Sequence, residues 1–273
     1  MSKFINEKKN IFLRRCLPVI LVSLISIFNI QGQQKEIVID DDLSAKAEKM
    51  KVKMGTQWAG KIFKFKFGDY AVTDSKNGWT TSTGGTNFLG TKARSETSNE
   101  FSFELTDKSL SEKAVVNAAS SMTSEEIRSF QLFSTLAIGS DELIKSANNF
   151  SAFISTTQDE EDTWVLIKSL EDGSQANYEF RAFLTNRDRT ISIERTTSNK
   201  KGQDSRSIPA KGYEFIENGK SLCAVQYYGG GMMGMNKNII WIRSELSPKE
   251  KLILASAMTA LLQVDYTTTF SLD

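Results

Sequence analysis

The chain has 273 residues, with 34 Lys+Arg against 33 Asp+Glu, 40% apolar residues, 3 Pro, 2 Cys and no His. That is the composition of a globular protein. Without histidine there is no Ser-His-Asp or Cys-His nucleophile, no HExxH zinc site and no imidazole acid or base, and a net charge of +1 excludes a strongly basic nucleic-acid binder.

Residues 1–32 read as a secretory signal. Lys3, Lys8, Lys9, Arg14 and Arg15 precede an uncharged apolar run, residues 17–30, and Gly32 offers a small residue for cleavage. The run of 14 residues is short for a spanning helix, which needs about 20; an uncleaved N-terminal anchor is the competing reading. The expectation is an exported chain, periplasmic or secreted, cut near Gly32. The mature chain then carries 29 basic against 32 acidic side chains, a net −3, and a single cysteine, Cys223. One cysteine makes no internal disulfide, so the core must hold the fold.

Residues 33–57 are polar and charged and read as a leader or a short surface helix, with the domain following over 58–273. The acidic triplet Asp40, Asp41 and Asp42 is a weak cation candidate. From residue 61 the period becomes two: Phe63, Phe65 and Phe67 share one face, Lys64 and Lys66 the other, which marks a half-buried strand. Residues 80–99 are rich in Thr, Ser and Gly and read as a long loop. Phe101, Phe103 and Leu105 mark a second strand, and 113–119 a weaker one. A Thr123/Glu126 capping box suggests a helix near 124–134, and Ser140 a second short helical turn. Strands are expected over 150–156, 164–170, 178–184, 189–196, 212–216, 221–228 and 238–243. Asp172-Gly173 and Asn218-Gly219 serve as hairpin turns between them. Short, regular strands without alternating helices indicate an antiparallel barrel or sandwich.

The segment 247–263 is the most informative. Ser247 with Glu250 forms a capping box, and Pro248 falls at the first helical position. No charge occurs from Leu252 through Val264. A helix apolar on all sides must be buried on all sides. The picture is a mostly β protein: one antiparallel barrel filled by its hydrophobic C-terminal helix.

Residues 212–266 carry a strand, an Asn-Gly turn, a strand ending in Ala-Val, a last strand, a Pro-containing cap and a hydrophobic helix. This tail resembles the end of tubby-like barrels, including the LURP-one-related and phospholipid-scramblase relatives. The resemblance implies a twelve-strand antiparallel barrel threaded by that helix. No position here matches the family's phosphoinositide or calcium residues.

No catalytic set, cofactor site or metal site stands out. Gly85 to Lys92 has the wrong order for a phosphate loop, since Thr91 precedes Lys92. Asp159, Glu160, Glu161 and Asp162 form a dense acidic run without the alternate spacing of a calcium loop, and read as a solvated hairpin tip. Met232, Met233 and Met235 are soft copper(I) donors in principle, but a flexible loop at 229–235 is the simpler account. Cys223 alternates with Val225 and Tyr227 and reads as a buried thiol. Glu104, Glu179, Glu194 and Glu214 lie on strands with nothing to single out a catalytic pair. Basic residues concentrate between Arg187 and Lys211, and Arg187, Arg189, Lys200 and Lys201 are the candidate patch for an anionic surface, with Lys64 and Lys66 as possible neighbours. The functional expectation is therefore an exported, non-enzymatic binding or envelope-associated protein, with a lipid or membrane surface as its partner. A carboxylate-based hydrolase and a protein-docking module that uses the Met/Gly loop are the alternatives.

Overall fold

A computed structural model describes residues 36–55, 62–78, 81–86, 93–123, 130–133, 136–138, 148–157, 159–172, 178–199, 208–230 and 237–270. A short helix α1 (Asp41–Lys46) leads into strands β1 (Ala47–Lys51), β2 (Lys53–Met54), β3 (Phe65–Phe67), β4 (Tyr70–Asn77), β5 (Thr81–Thr86), β6 (Ala93–Asp107) and β7 (Glu112–Thr123). After β8 (Phe130–Phe133) and β9 (Leu136–Ile138) come β10 (Asn148–Thr156), β11 (Asp159–Asp172), β12 (Tyr178–Thr185), β13 (Thr190–Thr197), β14 (Lys211–Glu217), β15 (Lys220–Tyr228) and β16 (Ile239–Arg243). Helix α2 (Pro248–Phe270) ends the described chain.

Thirteen strands run side by side in the order β1-β16-β15-β14-β13-β12-β11-β10-β7-β6-β4-β3-β2, each pair antiparallel, with β5 joined to β6 off this path. The two ends of the path, β1 and β2, are consecutive in the chain. One extended segment therefore nearly closes the barrel. Its first half pairs with β16, Met50 opposite Ile240, and its second half with β3, Lys53 opposite Lys66. Closure removes the open edges that would otherwise invite aggregation. Residues 36–54, within the segment read as a polar leader, are thus part of the domain: Asp40 caps α1 through its Oδ1, which accepts from the Asp42 and Leu43 amides, and Leu43 is fully buried.

Helix α2 fills the barrel. It touches β6, β7 and β10 on one wall and β15 and β16 on the opposite wall. Every residue from Leu252 to Val264 is buried. The two hydroxyls in that stretch are satisfied inside the helix: Ser256 Oγ donates to the Leu252 carbonyl and Thr259 Oγ1 to the Ala255 carbonyl, each at 2.8 Å. Inward strand positions such as Phe65, Phe103, Ile154, Leu166, Leu184 and Phe215 complete the core. The helix runs past the expected end at 263 to Phe270. Among the described residues no helix is long and apolar enough to cross a membrane.

A second, smaller core lies outside the barrel. Ile37 and Leu43 cover Ala224, Ile239 and Trp241 on the outer face of β15 and β16. Arg243, 1% exposed, lies beneath α1, with one guanidinium nitrogen 2.6 Å from Asp42 and another donating to the Ser221 carbonyl.

Two local expectations differ. The loop expected over 80–99 contains the β5–β6 hairpin, Thr81 opposite Ser98; Thr-rich sequence is compatible with a ladder once a partner strand is present. The helix expected near 124–134 ends in strand β8, which pairs Phe130 with Ile138 of β9. Within the expected span the described residues, 130–133, are therefore strand rather than helix. Residues 124–129 and the helical turn suggested after Ser140 lie outside the described residues.

Candidate functional site

Four connections converge at the barrel end where α2 begins. They are the start of β11, the β12–β13 hairpin at 186–189, the β14–β15 turn and the β16–α2 junction. The capping box forms as expected, with the Ser247 Oγ 2.8 Å from Glu250 Oε2 and the Glu250 amide donating back to Ser247 Oγ at 3.3 Å. Asn186 shapes the hairpin by accepting from the Asp188 and Arg189 amides at 3.1 and 2.8 Å.

These turns carry two ionic triads. Arg189 donates through Nε and Nη2 to the two carboxylate oxygens of Glu217, both at 2.8 Å, and through Nη1 to Glu250 at 2.7 Å. Its guanidinium also lies 5.5 Å from the centre of the Trp164 ring. Lys249 Nζ bridges Asp159 and Asp162, both at 2.8 Å, and Asn186 donates to the other oxygen of Asp162 at 2.8 Å. A concavity of about 530 Å³ opens between Asp162, Trp164, Arg189, Lys249 and Ile253.

The electrostatics follow from the pairing. Hydrogen bonds from Lys249 and from the Asp162 amide hold the Asp159 carboxyl below the ordinary carboxylate range. Burial pushes Asp162 up, but Lys249 and Asn186 outweigh it and its pKa ends lower. Glu250 behaves alike, with burial opposed by Arg189 and Ser247. The Arg189 pKa is raised by Glu217. Four carboxylates thus face two cations, and the mouth is net negative. Asp159, Asp162 and Glu250 are all ionised at neutral pH, and none is held as a proton donor.

Carboxyls lowered in the folded state stabilise fully above their unfolded pKa and lose that contribution as pH falls through the lowered value. Stability measured by urea melts should therefore decline as pH drops below about 4. The decline should be shallower in a Lys249→Met variant, which lacks the charge that lowers Asp159 and Asp162. Parallel pH profiles for the two proteins would disprove the bridging role of Lys249.

The structure rearranges the residues singled out in the sequence. The acidic run and Arg189 come together, although they are far apart in the chain. Arg187 is exposed on the hairpin, while Arg189 is engaged by two carboxylates. Lys200 and Lys201 lie outside the described residues, as do Met232, Met233 and Met235. Lys64 and Lys66 belong to the opposite wall from β12 and β13, so they do not extend a patch around Arg187. Cys223 is fully buried, and burial pushes its thiol pKa well up. Glu104 pairs with Lys113 at 3.0 Å, and Glu214 accepts from the Asp40 amide at 2.9 Å, fastening the N-terminal segment to the barrel. Among the described residues no group of three or more Cys, Asp or Glu could hold a metal ion. Lys249 and Glu217 were missed as site residues; Lys249 follows the Pro248 helix start and Glu217 precedes the Asn218-Gly219 turn, and neither position marks a binding role on its own.

By architecture the chain is an antiparallel β-barrel filled by its C-terminal helix, with a charged mouth at the helix start. No family model matches it, and neither a curated protein nor a solved structure is found to match.

Proposed function

We propose that this chain is an exported, non-enzymatic binding protein associated with the cell envelope, whose partner is a lipid or a membrane surface. The observation that carries the reading is the filled barrel. Helix α2 occupies the interior with apolar side chains buried from Leu252 to Val264, so ligands have the outer wall and the mouths available. Hydrolysis by a carboxylate pair requires one carboxyl kept protonated as an acid. The mouth carboxyls Asp159, Asp162 and Glu250 are lowered instead, and each is bound to Lys249 or Arg189. A tubby-like relationship is proposed with it, supported by the barrel-around-helix architecture.

Native mass spectrometry of the protein, purified gently from its own envelope, tests this reading. A retained lipid mass is the expected result. A retained sugar or metal ion would overturn the lipid assignment, and turnover of a glycoside or ester by the same preparation would overturn the non-enzymatic one.

A further inference from the structure

The seam that closes the barrel carries a feature outside the charged mouth. Along β1 and β2, Lys51 and Lys53 point outward while Val52 and Met54 pack against the core. On the adjoining strand, Lys64 and Lys66 point outward while Phe63, Phe65 and Phe67 face in. The two K-x-K strands are zipped together. Lys53 lies directly opposite Lys66, and the Gly55 amide donates to the Lys64 carbonyl at 2.8 Å. Neighbouring strands are about 5 Å apart, and alternate residues along a strand about 7 Å. Four exposed ammonium groups therefore share one small field on the outer wall.

Several exposed lysines are matched with acids, Lys46 with Asp42, Lys49 with Glu36, Lys113 with Glu104 and Lys220 with Glu245, and others such as Lys108, Lys211 and Lys237 stand singly; the seam sets four side by side. Lys51, Lys53, Lys64 and Lys66 have no carboxylate partner among the described residues. Glu48 and Asp69 are the acids closest along the chain; Asp69 lies in the Gly68 turn and the Glu48 carboxylate, from β1, reaches toward it, both at one end of the field. Like charges directly opposite on a ladder repel. An anionic partner relieves that repulsion.

We propose that this lysine field is the face by which the protein rests on an anionic phospholipid surface, an inference that rests on the membrane half of the function proposed above. The field lies on a sheet face, which suits a flat charged surface. The chain's course points the same way. Ile30, the last residue of the apolar run, precedes Glu36 by six residues, about 20 Å when extended. Glu36 is ion-paired at 2.6 Å to Lys49, on the strand that carries Lys51. Before cleavage near Gly32, while the run 17–30 sits in the bilayer, the field is held within reach of the headgroups at high effective concentration; after cleavage, adhesion rests on the lysines alone. Binding by basic residues to an anionic leaflet strengthens about fivefold per lysine and is screened by salt.

The test compares co-sedimentation of the full chain with phosphatidylcholine vesicles and with vesicles that also contain phosphatidylglycerol. The apolar run is common to all samples, so the neutral vesicles report its share. The variant combines Lys51→Gln, Lys53→Gln, Lys64→Gln and Lys66→Gln, all at exposed positions, with its fold checked by thermal melting. A control combines Lys108→Gln, Lys211→Gln, Lys220→Gln and Lys237→Gln, an equal charge change at other exposed sites. The expected result is a preference for the anionic vesicles that high salt removes, that the control largely keeps, and that the seam variant loses by about a hundredfold or more. An unchanged preference in the seam variant would overturn the lysine field while leaving membrane binding standing. An equal loss in the control would also overturn it, since net charge alone would then account for binding. A wild-type chain without any preference for anionic vesicles would overturn both the field and the membrane half of the proposed function.

Discussion

Replacing Met258 by lysine should abolish the cooperative fold. Met258 is fully buried in the middle of α2, at a level where barrel strands surround the helix. A lysine there must either leave its charge unpaired in an apolar interior or give up its proton. No carboxylate occurs on the helix between Glu250 and Asp265 to pair with it. Stranding a charge in a core costs about 3–5 kcal/mol or more, a large part of the 5–15 kcal/mol that typically separates folded from unfolded chains. Circular dichroism should show the variant without a thermal transition, or with one lowered by more than about 10 °C. Met258→Leu conserves volume and polarity and should cost less than about 1.5 kcal/mol. A lysine variant that melts with the wild type would mean that this helix face meets water, and the filled-barrel basis of the proposed function would go with it.

Gly212→Ala should produce the second large loss. Gly212 sits at a register shift between β14 and β15. A Cβ there would lie 2.3 Å from the Val225 carbonyl oxygen and 2.7 Å from Ile37 Cδ1. The oxygen belongs to the backbone of a buried strand and cannot step aside, so the ladder itself must move. Overpacking of this kind costs about 1–3 kcal/mol and occasionally more. Displacing Ile37 would also loosen the N-terminal segment from the outer core of Ala224, Ile239 and Trp241. A melting temperature lowered by about 4–10 °C is expected. Gly219→Ala is the informative comparison. Gly219 has φ +76° in the Asn218-Gly219 turn, with no heavy atom within 4 Å of an added Cβ. Only the left-handed backbone opposes a side chain there, at about 1 kcal/mol. Equal losses for the two variants would refute the close-approach role of Gly212.

Much of the architecture was legible because it depends on local periodicity. Phe63, Phe65 and Phe67 alternating with Lys64 and Lys66 mark a half-buried strand whatever its partner. The uncharged stretch from Leu252 to Val264 can be stable only if enclosed, which already requires a surrounding wall. The β5–β6 hairpin was less legible, since Thr and Gly are common in loops and become a strand only when a neighbour accepts their hydrogen bonds. The role of residues 36–54 was hidden for a related reason. Their charges mark a surface location, but Ile37, Leu43 and Met50 show their purpose only once the wall they cover or complete is present.

The charged mouth shows the same division. Ser247 and Glu250 were readable as a cap because both partners lie within one helical turn. The partnership of Lys249 with Asp159 and Asp162, and of Arg189 with Glu217 and Glu250, depends on strand order, which a single chain does not display. The expected patch of Arg187, Arg189, Lys200 and Lys201 was drawn from proximity along the chain, yet the partners of Arg189 come from β14 and α2.

The sequence by itself therefore determined that the protein is mostly strands, that its last helix must be enclosed, and that Cys223 belongs to a core. Hydrophobic burial is encoded by the period of each segment. Only the tertiary structure decided which charges neutralise one another at the mouth and which lysines stand unmatched along the seam. Coulombic partners are set by distance through space, and the distance between Lys53 and Lys66 is fixed by the β2–β3 register rather than by the twelve residues that separate them in the chain.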